Sequence, residues 1–412
     1  MNPETYKPSQ ENQPIDSRKL SEKNTEKWIE VAQERLEEIS LPEDLIKIIK
    51  ESLNIPQLGP YHNEGPIMAA HLGLMVQSLE EIKEKSFNFS ILKIPSNEIL
   101  RNHIINILTT TAKKSFEQLL LFIYLHDIGK SNCMVIIDNQ KRQIPFNMGK
   151  WQEYLQQVKG NRYAALKKLK TEGYEQISYR TDDKDHGEEG VRIIQELART
   201  NEKLYNFIEE NNQLLSIISN HEAYFQVFSQ SSSAKNFEKL LRLLNLIDDN
   251  GNIVNEENLN LFFTACFLGI AGSLNKKGES DFNGFINMVV AWECYKLIDK
   301  FLRELEVDEN KKQHIKERLI NLSSIEDVNK KIQEIKNEEK LKTVKFNDED
   351  IEEIIQQAIT NKIIKLEDKE RLREIMTRSN ASENIFAFLG QNLPKEWKRL
   401  IPQIREFLLK KI

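Results

Sequence analysis

Glycine and proline are scarce in this chain, at 15 and 11 of 412 residues. Glycine stands at roughly half the ~7% of an average protein. Tight turns and closely spaced strands draw on both residues, so the shortage weighs against a β-rich fold. Cysteine is nearly absent. Cys133, Cys266 and Cys294 lie far apart, which excludes a CxxC pair and an even disulfide framework and fits reduced, buried thiols. No apolar run approaches the ~20 residues of a membrane span. The opening segment MNPETYKPSQENQPID lacks the apolar core of a secretory signal. A cytoplasmic protein without membrane contact is expected. An excess of positive charge is missing too: 58 Lys and Arg against 64 Asp and Glu leave −6. Net charge therefore does not point to nucleic acid, although a nucleic-acid end is not excluded as a substrate.

Leu, Ile, Lys, Glu and Asn fill the composition instead, and apolar residues recur at helical spacing along most of the chain. The expected class is all-α. Residues 1–24, polar and proline-bearing, read as a disordered tail. Residues 25–302 read as one helical domain. Within it the insertion 141–180 stands apart, with nine Lys and Arg against three Glu and with Trp151, Tyr154, Tyr163, Tyr174 and Tyr179 interleaved. Helices are expected to resume at about 187–199, 203–222 and 236–248. From 303 to 412 the chain is highly charged but keeps stripes such as Ile351, Ile354, Ile355 and Ala358, which predicts a separate helical C-terminal region.

The chemistry concentrates at LLLFIYLHDIGK, residues 119–130. Seven apolar residues lead into His126 and Asp127. A carboxylate at the end of such a run is costly to bury without a partner, and a metal ion would compensate the imidazole and the carboxylate together. Asp127 has two oxygens and could bridge two ions. Lys130 could hold a phosphate oxygen. The bland alternative is a capped helix end with a surface His-Asp pair. Only seven histidines occur in the chain, and three more lie on or beside apolar segments: His71 after Pro66, His186 in DKDHGEEGVRIIQEL and His221 in LLSIISNHEAYF. Imidazole and carboxylate donors suit Mn, Fe, Zn, Ni or Co without selecting among them. Further on, FEKLLRLLNLIDDNGN offers Asp248 and Asp249. On a continuous helix Asp248 shares the face of Leu241 and Leu244, so helical phase favours it as a further ligand.

The order H…HD…H…H…D resembles the HD superfamily of metal-dependent phosphohydrolases. His71, His126, Asp127 and Asp248 match its four-residue signature for one metal, and His186 and His221 match the extra histidines of its two-metal branch. HDIGK, HGEEGVRII and NHE are similar to the HD-GYP cyclic-dinucleotide phosphodiesterases, yet no GYP follows His221, where the sequence reads HEAYFQVF. YHNEGPIMAAH is similar to the entry of the HD domains attached to tRNA nucleotidyltransferases. The guanosine tetraphosphate hydrolases carry HDxxED where this chain has HDIGK. The resemblance covers about 60–250 and implies an HD-domain helical bundle, two divalent transition-metal ions, and hydrolysis of a phosphomonoester or phosphodiester by a metal-activated hydroxide.

The expected substrate is a phosphorylated small molecule, a nucleotide or a nucleic-acid end. Asp127 and Lys130 are the expected catalytic residues. His62 and Glu64, just before the His71 helix, are expected to line the entrance. Lys150, Arg162, Lys167 and Lys168 of the insertion are expected to meet an anionic substrate. Two readings compete: a catalytically weak module that binds a nucleotide and signals through the C-terminal helices, and a helical scaffold whose histidines are satisfied by backbone carbonyls.

Overall fold

The computed structural model describes residues 22–55, 68–92, 98–130, 134–145, 148–159, 162–179, 186–228, 231–247, 253–273, 282–382 and 384–411. The class is all-α, with one small sheet among the described residues. The chain divides into two compact units at Glu293/Cys294. No helix among the described residues is long and apolar enough to cross a membrane.

The first unit opens with α1 (Glu22–Glu38), α2 (Glu43–Ser52), α3 (Met68–Lys83), α4 (Glu98–Lys114) and α5 (Phe116–Leu125). Next come β1 (Met134–Asp138), β2 (Gln143–Pro145), α6 (Met148–Gln157), α7 (Arg162–Thr171) and β3 (Tyr174–Tyr179). The chain then continues through α8 (His186–Ala198), α9 (Glu202–Glu210), α10 (Asn212–Ser219), α11 (Ala223–Phe228), α12 (Ala234–Leu243), α13 (Glu256–Ala271) and α14 (Asn283–Glu304), within which the boundary falls.

Three of these helices are apolar on nearly every face, which is the signature of a central element rather than a half-exposed one. α3 buries residues from Met68 to Ile82, α5 buries Leu119 through Leu125 apart from Leu121, and α13 buries almost every residue from Leu259 to Ala271. α13 packs against α3, α4 and α5, and α1 packs along α3. Phe263 stacks on Trp292 at 4.7 Å and Phe267 on Phe282 at 5.1 Å. Each such side chain contributes about 1.5–3 kcal/mol by leaving water. The helix starts are fixed locally, with Ser233 capping α12 and Asn255 capping α13 through their side-chain oxygens.

Two expectations change here. The stretch expected as one helix over 203–222 breaks at Asn211 into α9 and α10. The helix expected to reach 248 ends at Leu243, Asn245 turns to a positive φ of 53°, and Ile247 bridges Ile253 instead. Helical phase thus has no bearing at 248, and Asp248 itself lies outside the described residues. The insertion contributes two strands, β2 and β3, which pair with β1 just before it. β1, with the β-branched run Val135, Ile136 and Ile137, is the middle strand of an antiparallel sheet ordered β2-β1-β3. The Asp138 carboxylate accepts the Gln140 and Arg142 N–H groups at 2.9 Å and closes the β1–β2 turn.

The second unit has a core of its own, with Ile354, Ile355, Leu372, Met376, Ile385, Leu389, Trp397 and Ile404 among its buried residues. Asn347 and Asp350 form a reciprocal capping box at the start of its Asp348–Thr360 helix.

Candidate metal centre

α5 delivers the first two residues of the site. Its apolar sequence carries the chain through the core, and His126 ends the helix while still donating its N–H to Phe122 O at 2.9 Å. A short turn follows, with Lys130 N–H on Asp127 O at 3.0 Å. Gly129 does not adopt a left-handed conformation; among the described glycines only Gly173 has a positive φ. What requires glycine at 129 is proximity. A Cβ there would overlap the His186 carbonyl oxygen and the Gly190 nitrogen. This contact brings the first turn of α8, and with it His186, against the His126–Lys130 turn. Gly187 likewise lets α8 approach the Ile218 carbonyl and the His221 ring.

His71, His126, Asp127, Lys130, His186 and His221 are all buried. Three of the imidazoles are oriented in the same manner. His71 Nδ1 lies 3.0 Å from Gly272 O, His126 Nδ1 2.9 Å from Ile123 O, and His221 Nδ1 2.7 Å from Ile218 O. A carbonyl can only accept, so each Nδ1 carries the proton and each Nε2 presents a lone pair. Backbone carbonyls behind imidazoles are the usual support of histidine metal ligands.

The Nε2 atoms converge on the Asp127 carboxylate. His126 Nε2 is 3.3 Å and His71 Nε2 3.8 Å from Oδ2, while His186 Nε2 is 3.0 Å and His221 Nε2 4.0 Å from Oδ1. His186 Nε2 and His221 Nε2 are 3.1 Å apart. Ligands bound at ~2.0–2.1 Å to one ion lie about 3–3.4 Å from each other, so several of these separations suit a shared metal. Neither Asp127 oxygen receives a hydrogen bond of good geometry, although Lys130 Nζ sits 2.6 Å from Oδ2. A buried carboxylate left in that condition is costly, and a cation among these donors would satisfy it. The residues fit a metal. They form two overlapping groups, His71/His126/Asp127 and Asp127/His186/His221, each able to hold an ion.

The electrostatics agree. Burial works to raise the Asp127 pKa, but His126, Lys130 and His186 outweigh it and hold the carboxyl well below its usual range. Burial pushes His126 well down and also lowers His221, where the neighbouring His186 adds to the effect. Both therefore stay neutral, as ligands must. Burial also opposes protonation of His186, yet the Asp127 carboxylate oxygen 3.0 Å from its Nε2 prevails and raises its pKa.

The other expected residues fall differently. His62 and Glu64 lie outside the described residues, as does the side chain of Arg162. Lys130 is buried against Asp127. Lys150 pairs with Glu172 at 2.8 Å, and Glu172 also takes the Tyr154 hydroxyl. Lys168 bonds Gln157 and lies over the Tyr154 ring. Trp151 is buried with its N–H on Asn54 O at 2.9 Å. Trp151 and Tyr154 are thus packing residues, and Lys167 is exposed.

Sequence reasoning missed Glu222, whose Oε1 lies 3.7 Å from His186 Nε2 with the side chain 45% exposed. Its adjacency to His221 was the available signal. It also missed the Gly272 carbonyl behind His71, 201 positions away, for which no local pattern exists. A scan against protein-family models, a search of curated proteins and a search of solved structures each return no match.

Proposed function

We propose that this protein is a metal-dependent phosphohydrolase of HD type, cleaving a phosphomonoester or phosphodiester of a nucleotide or of a nucleic-acid end. The observation that carries the reading is the buried Asp127 carboxylate, without a well-formed hydrogen bond and ringed by four imidazole Nε2 atoms. Two divalent transition-metal ions held there supply hydroxide at neutral pH and neutralise charge on phosphoryl oxygens.

The chain's own residues do the rest. The backbone carbonyls of Gly272, Ile123 and Ile218 fix three imidazoles in one tautomer, so no tautomer change is needed before binding. Asp127 presents one oxygen to each histidine pair. The ammonium of Lys130 stands at the same carboxylate, close enough to take a phosphoryl oxygen. The scaffold alternative, in which carbonyls satisfy the histidines, accounts for the Nδ1 atoms but leaves the convergent Nε2 atoms and Asp127 unexplained.

The test is metal analysis of the purified protein, followed by turnover of cyclic nucleotides, nucleoside phosphates and short oligonucleotides. Bound transition metal, chelator-sensitive hydrolysis and recovery on adding Mn²⁺ are expected. A protein that binds no transition metal sinks the reading. Lys167 gives a second check. Lys167→Glu is expected to raise KM a few-fold at ~0.1 M salt and to have little effect at ~1 M, where the Debye length falls from ~10 to ~3 Å. A KM shift that persists at high salt would assign Lys167 a role other than steering.

A further inference from the structure

Glu222 stands where the buried cluster meets water. It lies in the turn between α10 and α11, held by the Ala223 N–H on Asn220 O at 2.9 Å and by burial of His221 and Ala223 on either side. The side chains of His186 and His221 are 6% and 10% exposed, whereas that of Glu222 is 45% exposed. Its Oε1 nevertheless lies 3.7 Å from His186 Nε2. An ion held ~2.1 Å from that nitrogen is therefore within roughly 6 Å of the carboxylate oxygen. A phosphoryl group on that ion falls inside the ~10 Å Debye length of 0.1 M salt.

From this we propose that Glu222 is a specificity-determining residue. Its carboxylate biases the centre toward phosphodiesters, whose phosphoryl group carries one negative charge, and against phosphomonoesters, which carry about two above pH ~6. The proposal rests on the reading that the cluster holds metal ions and hydrolyses phosphate esters.

The effect is a difference made by one side chain. Every other charge around the centre is common to the wild type and to a variant at 222, so those charges cancel in the comparison. Glu222 belongs to neither ligand group, and replacing it leaves each of those donors in place. Coulomb's law sets the scale. At ~7 Å and an effective dielectric of ~40–80, suited to a half-exposed group, one carboxylate beside one substrate charge changes an equilibrium constant about three- to sevenfold. A diester meets that repulsion once and a monoester about twice. Metal ions attract both esters, and Glu222 offsets the attraction in proportion to the charge the substrate brings.

The probes are p-nitrophenyl phosphate and bis(p-nitrophenyl) phosphate, which share a leaving group and differ in charge, given to the Mn²⁺-loaded full-length protein above pH ~7. Glu222→Gln, at a half-exposed position that does not threaten folding, should raise kcat/KM for the monoester about three- to sevenfold more than for the diester. Taking the ratio of the two esters removes any effect of the variant common to both. Glu222→Asp keeps the charge and should hold the ratio near the wild-type value. The difference between wild type and Glu222→Gln should shrink at ~1 M salt. Inorganic phosphate, titrated calorimetrically into the same loaded proteins, gives a readout independent of turnover: it should bind Glu222→Gln several-fold more tightly than the wild type. Metal bound with an unmoved ester ratio or an unmoved phosphate affinity in Glu222→Gln overturns this proposal alone, as does a Glu222→Asp protein that behaves like Glu222→Gln. No metal bound in the wild type overturns the functional reading and this proposal with it, so the two failures are distinguishable.

Discussion

Asp127→Asn is expected to empty both halves of the centre at once. The substitution keeps the size and shape of the side chain, so helicity measured by circular dichroism should be nearly unchanged. Charge and donor pattern change instead. A carboxylate offers an anionic oxygen to each histidine pair, whereas the amide offers one neutral oxygen and one NH₂ that cannot bind a metal. Bound metal should fall well below the wild-type content. Turnover should fall by roughly three orders of magnitude or more, since loss of a single charge-stabilising donor already costs ~10²–10³ in comparable sites. His71→Ala and His221→Ala should each remove metal from one half only. Retention of both ions in Asp127→Asn would remove this carboxylate from the role of shared ligand.

Gly129→Ala is expected to lower the melting temperature by on the order of 10 °C, the largest stability loss among single methyl additions in the first unit's site. The added Cβ would meet two backbone atoms, the His186 carbonyl oxygen and the Gly190 nitrogen. Neither can rotate away as a side chain could. Overpacking of this kind costs ~1–3 kcal/mol or more, and each kcal/mol is worth about 2–4 °C in a unit of this size. Relief requires α8 to move, which carries His186 away from Asp127, so metal should be lost from the His186/His221 half. Gly269→Ala is the control. It lies inside α13, where nothing stands within 4 Å of an added Cβ, and should be neutral or stabilising by about 0.5–1 kcal/mol. Calorimetry with metal counting separates the outcomes. A Gly129→Ala protein with wild-type melting and wild-type metal content would show that the two turns have room to part.

Much of this was legible in the amino-acid sequence, for reasons that can be traced to particular residues. α5 declares itself because a buried helix must be apolar all round, and a His-Asp pair at the end of such a run has nowhere to go but the core. His71, His186 and His221 were legible for the same reason: each lies on or next to a segment that has to be buried. What failed were inferences that depend on tertiary partners. The phase argument for Asp248 assumed a helix that the turn at Asn245 ends early. The aromatic residues interleaved in the insertion carry no sequence signal for their partners, yet Trp151 is committed to Asn54 and Tyr154 to Glu172. β1 was hidden because three β-branched residues in a five-residue strand make too short a run to read against their polar surroundings. The role of Gly129 depends on a segment 57 positions downstream, since His186 follows it at that interval, and no periodicity reports such a contact.

That last contact has a consequence for how the protein can change. The backbone at Gly129 touches the backbone at His186, so the chain leaves the centre and returns to it at nearly the same point. A connection of a few residues would close the same gap as residues 131–185. Closure entropy grows only by ~0.6 kcal/mol for each doubling of length, so the longer excursion costs roughly 2 kcal/mol more. Closure entropy alone therefore sets almost no limit on the length of chain between the second and third histidines of the cluster. What ties the described part of that region to the rest of the first unit includes the buried Trp151, whose N–H meets Asn54 O. Changes of length between its sheet and helices are expected to leave the four histidines and Asp127 in place, as long as the Trp151 contact is kept.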